Sequence, residues 1–387
     1  MAALVRNEVT FYRPSTSNAL KAQARRTAVE HLAIDLGSKK SQICVRAADG
    51  TVVEERKLET LALGPYLASR PPSRVIVETC AESFRVADIA LEAGHEVRVV
   101  PATLVRTLGV GARKTKTDKR DAQILSEVSC RIDLPSVHIP TKTSRERKTI
   151  CGMRETLVGA RTQVINCVRG WLRTQGIRVK GGADGFAERV REAHAAQRNA
   201  PVADYVESLL TTSEHLASQI RDADKRLSKL AKADSICTRM MSVPGIGPVT
   251  SVRYAAALDD RSRFSSAHHV ESYVGLVPGE KQSSERQERL AITKAGSTRL
   301  RWALVQAAWT ARNTRPNDPM VRWSLEVEKR RGKRVAVVAL ARKLAGILYA
   351  IWRDGTAYDP RRGAKAIRVP QLPELAPELE LDDVASH

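Results

Sequence analysis

Two β-branched runs constrain this chain most, because each ends on a carboxylate. HLAIDL at 31–36 is apolar up to Asp35, and RVIVE at 74–78 closes on Glu78. After Asp35, a tight Gly37-Ser38 turn leads into two more alternating segments, ICVRAADGTVVEERKL, which read as a strand meander. Beyond the Pro71-Pro72 break and Glu78, helical periodicity covers ESFRVADIALEAG, a strand covers HEVRVVP and a further helix covers ATLVRTLGV. Strands alternating with helices predict a three-layer α/β domain over residues 31–140. KTKTDKRDAQILSEV then reads as a helix start that places Asp118 and Asp121, at i and i+3, on one face.

Asp35, Glu78, Asp118 and Asp121 together are the candidate catalytic site. Any one of them has an ordinary alternative: a strand-end Asp is often a turn residue, and Asp118 can cap its own helix. The combination is more specific. An Asp in the first strand of a meander, an acid ending the strand after a helix, and a helical acid pair form the layout of a ribonuclease-H-like domain. Mg2+ takes hard oxygen ligands and keeps room for water and phosphate, so four such acids can hold one or two ions against a phosphodiester. The helical pair is embedded in bases, Arg113, Lys114, Lys116, Lys119 and Arg120, as suits a place where metal and phosphate meet.

Charge points the same way. The chain carries 64 Lys+Arg against 43 Asp+Glu, a net +21, and that imbalance is explained most simply by a polyanionic partner. At 387 residues it should divide into two or three domains. Cys44, Cys80, Cys130, Cys151, Cys167 and Cys237 show no paired spacing, and the histidines, His268-His269 included, do not complete a zinc pattern. The cysteines therefore read as reduced apolar side chains, Cys44 and Cys80 in strands. No signal-like apolar segment opens the chain and no stretch reads as a membrane span, so an intracellular, cytoplasmic protein without a membrane partner is expected.

The remainder reads as mostly helical. Residues 1–30 form a basic extension. Residues 141–235 form a connector, and the stretch 139–180 at its start holds ten bases against two acids, Glu146 and Glu155. Arg154, Arg161, Arg169 and Arg173 recur there at helical spacing, which predicts either a phosphate-binding face or a solvated helix surface. Val206, Leu209, Ser213, Leu216, Ile220, Ala223, Leu227 and Leu230 make a heptad seam, hence a coiled-coil helix packed within the chain or on another copy. Residues 236–366 contain PGIGP at 244–248, which reads as a helix-hairpin-helix turn whose Gly245 and Gly247 let backbone approach DNA. Then come a basic polar loop with Ser283 and Ser284, Lys294 and Arg299 as further nucleic-acid contacts, and a helix starting near Ser297. A basic helix over Arg322–Lys343 and an acidic, disordered tail over 367–387 complete the chain.

AIDLGSKKS, IVETC, KTDKRDAQIL, SVPGIGPVTS and YVGLVPGEKQSSERQERLAITKAGSTRLRWALVQAAW, in this order, resemble the insertion-sequence transposases and related Piv-type DNA invertases. The resemblance covers roughly residues 31–360. It implies a RuvC-like DEDD domain whose four acids bind Mg2+. It also implies a serine-bearing transposase domain, whose nucleophile lies five residues beyond the GLxP proline, Pro278, and so is Ser283. The family usually has Ser-Gly there; this chain has Ser283-Ser284, which leaves Ser284 as a rival. The resemblance further implies a homo-oligomer (dimer or tetramer) whose active site joins two copies, and a structured noncoding guide RNA beside the DNA. A hydrolytic RuvC-like junction endonuclease, with water as nucleophile, is the alternative.

Overall fold

The strand-end pattern builds one mixed sheet. In the computed structural model, residues 29–107, 118–283, 286–362 and 367–368 are described, with the side chains of 106, 107, 118, 281–283, 286–289, 362, 367 and 368 outside that description. The basic extension, apart from Val29 and Glu30, and the acidic tail beyond Arg368 therefore lie outside the described residues. Two compact units divide the chain, Met1–Thr141 and Lys142–His387.

In the first unit the elements run β1 (His31–Asp35), β2 (Lys40–Arg46), β3 (Val52–Glu59), α1 (Leu63–Ala68), β4 (Arg74–Glu78), α2 (Ser83–Glu92), β5 (Glu96–Val100), α3 (Ala102–Thr107) and α4 (Asp118–Arg131). The strand order is β3-β2-β1-β4-β5. β1, β2 and β3 form the antiparallel meander, while β1, β4 and β5 run parallel. The meander turn needs Gly37, because a Cβ there would sit 2.2 Å from the Lys40 carbonyl oxygen. Alternation divides the sheet's residues between two faces. Leu32, Ile34, Ile43, Val75, Val77 and Val99 pack against Leu63 and Leu67 of α1 and Val86 and Ala90 of α2. Ala33, Ile76 and Val100 face the other way, onto Leu125 of α4.

The second unit is helical: α5 (Lys142–Thr174), α6 (Phe186–Arg198), α7 (Asp204–Ala233), α8 (Ser235–Met240), α9 (Pro248–Leu258) and α10 (Ala267–Val274). A hairpin of β6 (Pro278–Ser283) and β7 (Arg286–Ile292) follows, then α11 (Thr298–Thr314), α12 (Pro319–Arg331), α13 (Lys333–Asp354), β8 (Thr356–Ala357) and β9 (Ile367–Arg368). α5 and α7 pair within the chain. They run antiparallel: Ile165, Val168 and Leu172 meet Val206 and Leu210 at one end, and Cys151 meets Leu227 and Ala231 at the other. Leu210 and Ala231 are buried where the heptad steps had placed Leu209 and Leu230, so the contact stripe turns by one residue at those levels.

Three expectations for this unit need correction. Ser283 lies at the end of a β-hairpin, not in a polar loop; the alternation KQSSERQER has no apolar face to announce a strand. The basic stretch over Arg322–Lys343 is two helices, broken at Gly332 with φ of +81°. One helix, α13, is long and apolar enough to cross a membrane, contrary to the sequence reading, but 61% of its most apolar window is buried. Leu340, Leu344 and Leu348 lie at the centre of the unit's core, among Tyr254, Leu300, Leu304 and Val321. In addition, Ile367–Arg368 pairs with Thr356–Ala357, so the tail segment begins in a short ladder.

All six cysteines are free thiols. Cys80 falls just past β4 and is exposed, so it is neither a strand residue nor a core one; Cys167 is exposed on α5. Burial pushes the Cys237 thiol up to about 12. Alkylation of the native protein at about pH 8 should therefore label Cys80 and Cys167 and spare Cys237, read by peptide mass spectrometry, since only accessible thiolates react.

Candidate functional site

The β1–β4 register brings Asp35 and Glu78 to the same edge. Ile34 lies opposite Val77 in the parallel pair, and each carboxylate is the next residue along its strand. By alternation both belong to the sheet face carrying Ala33 and Ile76, the face covered by α4. Both are partly exposed, as expected at strand ends that open to solvent. Asp121 sits in the first turn of α4, next to the fully buried Ala122, and is itself 2% exposed. A carboxylate so withdrawn from water stays ionised only among partners that oppose its charge. Asp118 is the first residue of α4, on the same helix face one turn earlier.

The fold thus brings three of the four candidate acids to one side of one sheet. Among the described residues, no three His, Cys, Asp or Glu side chains are grouped as ligands of one ion, and the Asp118 side chain lies outside that description. As a donor set, these carboxylates are hard oxygens without a thiolate or imidazole among them, which suits Mg2+ rather than zinc.

Sequence reasoning missed what positions α4. Glu55 on β3 accepts from Gln123 and pairs with Lys119 at 2.7 Å. These contacts hold the Glu55 carboxyl below its ordinary range, with Lys119 the larger cause and Gln123 the second. Further along, Ser126 donates to the Cys44 sulfur at 3.2 Å, and Ser129 hydrogen-bonds His31 at 2.8 Å. Lys119 is therefore a tether for the acid-bearing helix rather than a free base beside phosphate. The signal was available in the strand register, which sets Glu55 opposite Cys44 on the α4 face.

The candidate nucleic-acid contacts separate into committed and open groups. Arg154 pairs with Asp224 across α5 and α7. Arg161 pairs with Asp184 at 3.1 Å, and Arg169 donates to the Gly181 carbonyl at 3.0 Å while lying over the Phe186 ring. Arg154 thus ties α5 to α7, while Arg161 and Arg169 tie α5 to the loop before α6, so these three are committed to contacts within the fold. Arg299 leans on Glu155 at 3.2 Å yet stays largely exposed, and Arg173 and Lys294 are exposed. Reversing Arg161 or Arg169 to Glu should lower the melting temperature as well as any affinity. A loss of affinity without a loss of stability would return them to the phosphate-binding role.

The two glycines of the PGIGP turn, between α8 and α9, do different work. Gly245 has φ of +83°, and a Cβ on it would lie 2.1 Å from the Ala307 carbonyl oxygen of α11. Its missing side chain serves internal helix packing, not approach to a partner as expected. Gly247 precedes Pro248 at the α9 start, has no side-chain cap, and faces open space. A cleft of about 420 Å³ adjoins the turn, lined in part by Ser242, Arg315, Asp318 and Tyr358. Gly245→Ala should destabilise the unit by more than about 2 kcal/mol, from left-handed strain and the backbone clash. Gly247→Ala should stay within about 0.5 kcal/mol. Thermal melts of the two variants separate these roles.

Ser283 is the last residue of β6, opposite Arg286 in β7, at the closed end of the hairpin. Ser284 lies outside the described residues.

Comparison with known proteins agrees with this layout. Residues 32–175 match an IS110-type DEDD domain described as a transposase, and residues 237–321 match the domain described as Transposase IS116/IS110/IS902 family. The chain is 29% identical over 318 residues to a probable family 20 transposase of Pseudomonas aeruginosa, covering 80% of this chain and 92% of the relative. It is 26% identical to the transposase for insertion sequence element IS1111A of Coxiella burnetii, over 84% and 89% of the two chains. Against the IS1328 transposase of Yersinia enterocolitica the identity is 26%, over 85% and 98%. With both domain types present in the family's order around the strand-end acids and the hairpin serine, the chain belongs to the IS116/IS110/IS902 family of insertion-sequence transposases.

Proposed function

We propose that the chain cuts and rejoins DNA strands of an insertion sequence in a Mg2+-dependent reaction through a phosphoserine intermediate, guided by a noncoding RNA. The observation that carries this reading is the shared edge of Asp35 and Glu78 beside the acid-bearing start of α4. Ser283 at a hairpin end, in a unit of transposase type, supports the nucleophile.

In the proposed reaction the Ser283 hydroxyl attacks phosphorus, forming a new O–P bond. The bond from phosphorus to one sugar oxygen breaks, and that oxygen leaves as a hydroxyl, so the proton lost by serine is balanced by the one gained there. A hydroxyl of another strand then attacks the phosphoserine and releases the serine. Asp35, Glu78, Asp118 and Asp121 would hold the metal. When bound, Mg2+ supplies stabilisation of the charge that builds on the phosphate oxygens.

Net positive charge of +21 supports a large polyanion. The guide RNA and a dimer or tetramer rest on the family resemblance. A helix-hairpin-helix role for the α8–α9 turn and a coiled-coil role for the α5/α7 pair belong to the same proposal. The test incubates the full chain with Mg2+ and DNA carrying the junction of the element's ends. A protease-sensitive adduct on a denaturing gel is expected. Free ends without adduct would favour the hydrolytic junction nuclease instead. Sequencing the nucleic acid that copurifies should recover an RNA with segments complementary to that DNA, and its absence would remove the guide from the proposal.

A further inference from the structure

The helical unit exposes tryptophan in an unusual setting. All five tryptophans belong to it. Trp171 stacks on His194, and Trp352 packs against the core. Trp309 also packs against the core by one side, whereas Trp302 and Trp323 are exposed. On α11, Trp302, Gln306 and Trp309 follow at steps of four and three, so they share one helix face, with the rings' backbones about 10 Å apart along the axis. The opposite face, with Ala303, Leu304, Ala307, Ala308 and Ala311, is buried in the core.

Along this stripe Trp302 is 56% exposed. Trp309 is half-buried and held by two cations, Lys333 at 5.2 Å and Arg312 at 6.0 Å from its ring centre. Arg312 is in turn fixed by Glu328 and by Ser324 at 3.1 Å. Lys333 opens a corner where Arg330, Arg331 and Arg334 are exposed around Gly332. Trp323 repeats the theme on α12, 39% exposed with the Lys343 ammonium 4.6 Å from its ring centre.

An exposed indole has no part in the core, and bases beside it do not favour an apolar protein surface. Alternating rings and cations match a strand that offers flat apolar bases and phosphates in turn. A duplex can meet the cations but hides the faces of its bases within the stack. The occupant with complementary chemistry is therefore an unpaired strand.

We infer that the α11 face stacks unpaired bases of a single-stranded nucleic acid on Trp302, with Lys333 and the neighbouring arginines at its phosphates. The inference rests on the nucleic-acid reading above but can fail by itself.

The experiment measures binding of the full chain to a short fluorescent oligothymidylate and to a duplex of equal length by anisotropy. Trp302→Ala should weaken single-strand binding roughly ten-fold, a typical loss for one base–aromatic stack, and change duplex binding by less than about two-fold. Trp302→Phe should restore most of the single-strand affinity. Lys333→Ala should flatten the single-strand plot of log affinity against log salt by about 0.7, one phosphate contact. Equal loss on both ligands, or no loss on either, overturns the inference. So does a change in the solution mass of Trp302→Ala, which would make the face an interface between copies. If single-strand binding is unaffected while the DNA adduct still forms, this inference fails and the transposase reading stands.

Discussion

Asp35→Asn and Glu78→Ala should each lower strand cleavage by at least about 10²–10³-fold, the usual cost of losing one preorganised electrostatic contact to a reacting centre. Nucleic-acid affinity should hold, because the excess positive charge lies elsewhere. Both residues are partly exposed strand ends, so β1 keeps Leu32–Ile34 buried and β4 keeps Val75–Val77 buried when either carboxylate goes. Stability supplies an independent readout. Added Mg2+ should raise the melting temperature of the wild type and do so much less in Asp35→Asn, by the linkage between binding and folding. If the variants cleave normally, or if Mg2+ stabilises Asp35→Asn as strongly as the wild type, the carboxylates do not hold the metal.

Ser283→Ala should remove the covalent adduct and recombination together while sparing metal-induced stabilisation and nucleic-acid binding. The residue ends a strand at a hairpin tip, where losing one hydroxyl should change folding stability by no more than about 0.5 kcal/mol. Ser284→Ala is the matched control and should retain adduct formation. If the adduct vanishes with Ser284 and survives in Ser283→Ala, the nucleophile is one residue further along and the chemistry is unchanged. If both variants cleave as wild type while the Asp35 variant does not, water is the nucleophile.

What could be read from the sequence follows the range of each signal. Asp35 and Glu78 were legible because period-two patterning and strand ends are local properties, and Ser297 could be placed at a helix start because capping is local too: its hydroxyl accepts from the Leu300 amide. The ion pairs of Arg154 and Arg161 were not legible because their partners are distant in sequence. Asp224 lies 70 positions from Arg154, and Asp184 lies 23 from Arg161. Counting acids within one stretch therefore overstated its free charge. Gly245 was read as an approach to DNA because its neighbour, Ala307, belongs to a helix that only the folded chain brings alongside. The β6–β7 hairpin has no apolar alternation across KQSSERQER to reveal it, and Glu55 is one charge among several in EERKLE until register sets it over α4.

The central place of α13 also has a consequence in time. The α/β unit is complete once residue 141 has left the ribosome, but the helical unit cannot close its core until Leu340, Leu344 and Leu348 are available. At synthesis rates of about 5–20 residues per second, the 213 residues between Thr141 and Asp354 (354 − 141) take about 10–40 s. In the later part of that interval α9, then α10 and α11, are completed in turn, and their apolar faces lack the covering helix until Asp354 has been added. A ribosome that stalls or terminates early would therefore release a folded α/β unit attached to uncovered, sticky helices. Such chains are substrates for chaperones and proteases, so the yield of whole transposase should depend on how quickly the last core helix is translated.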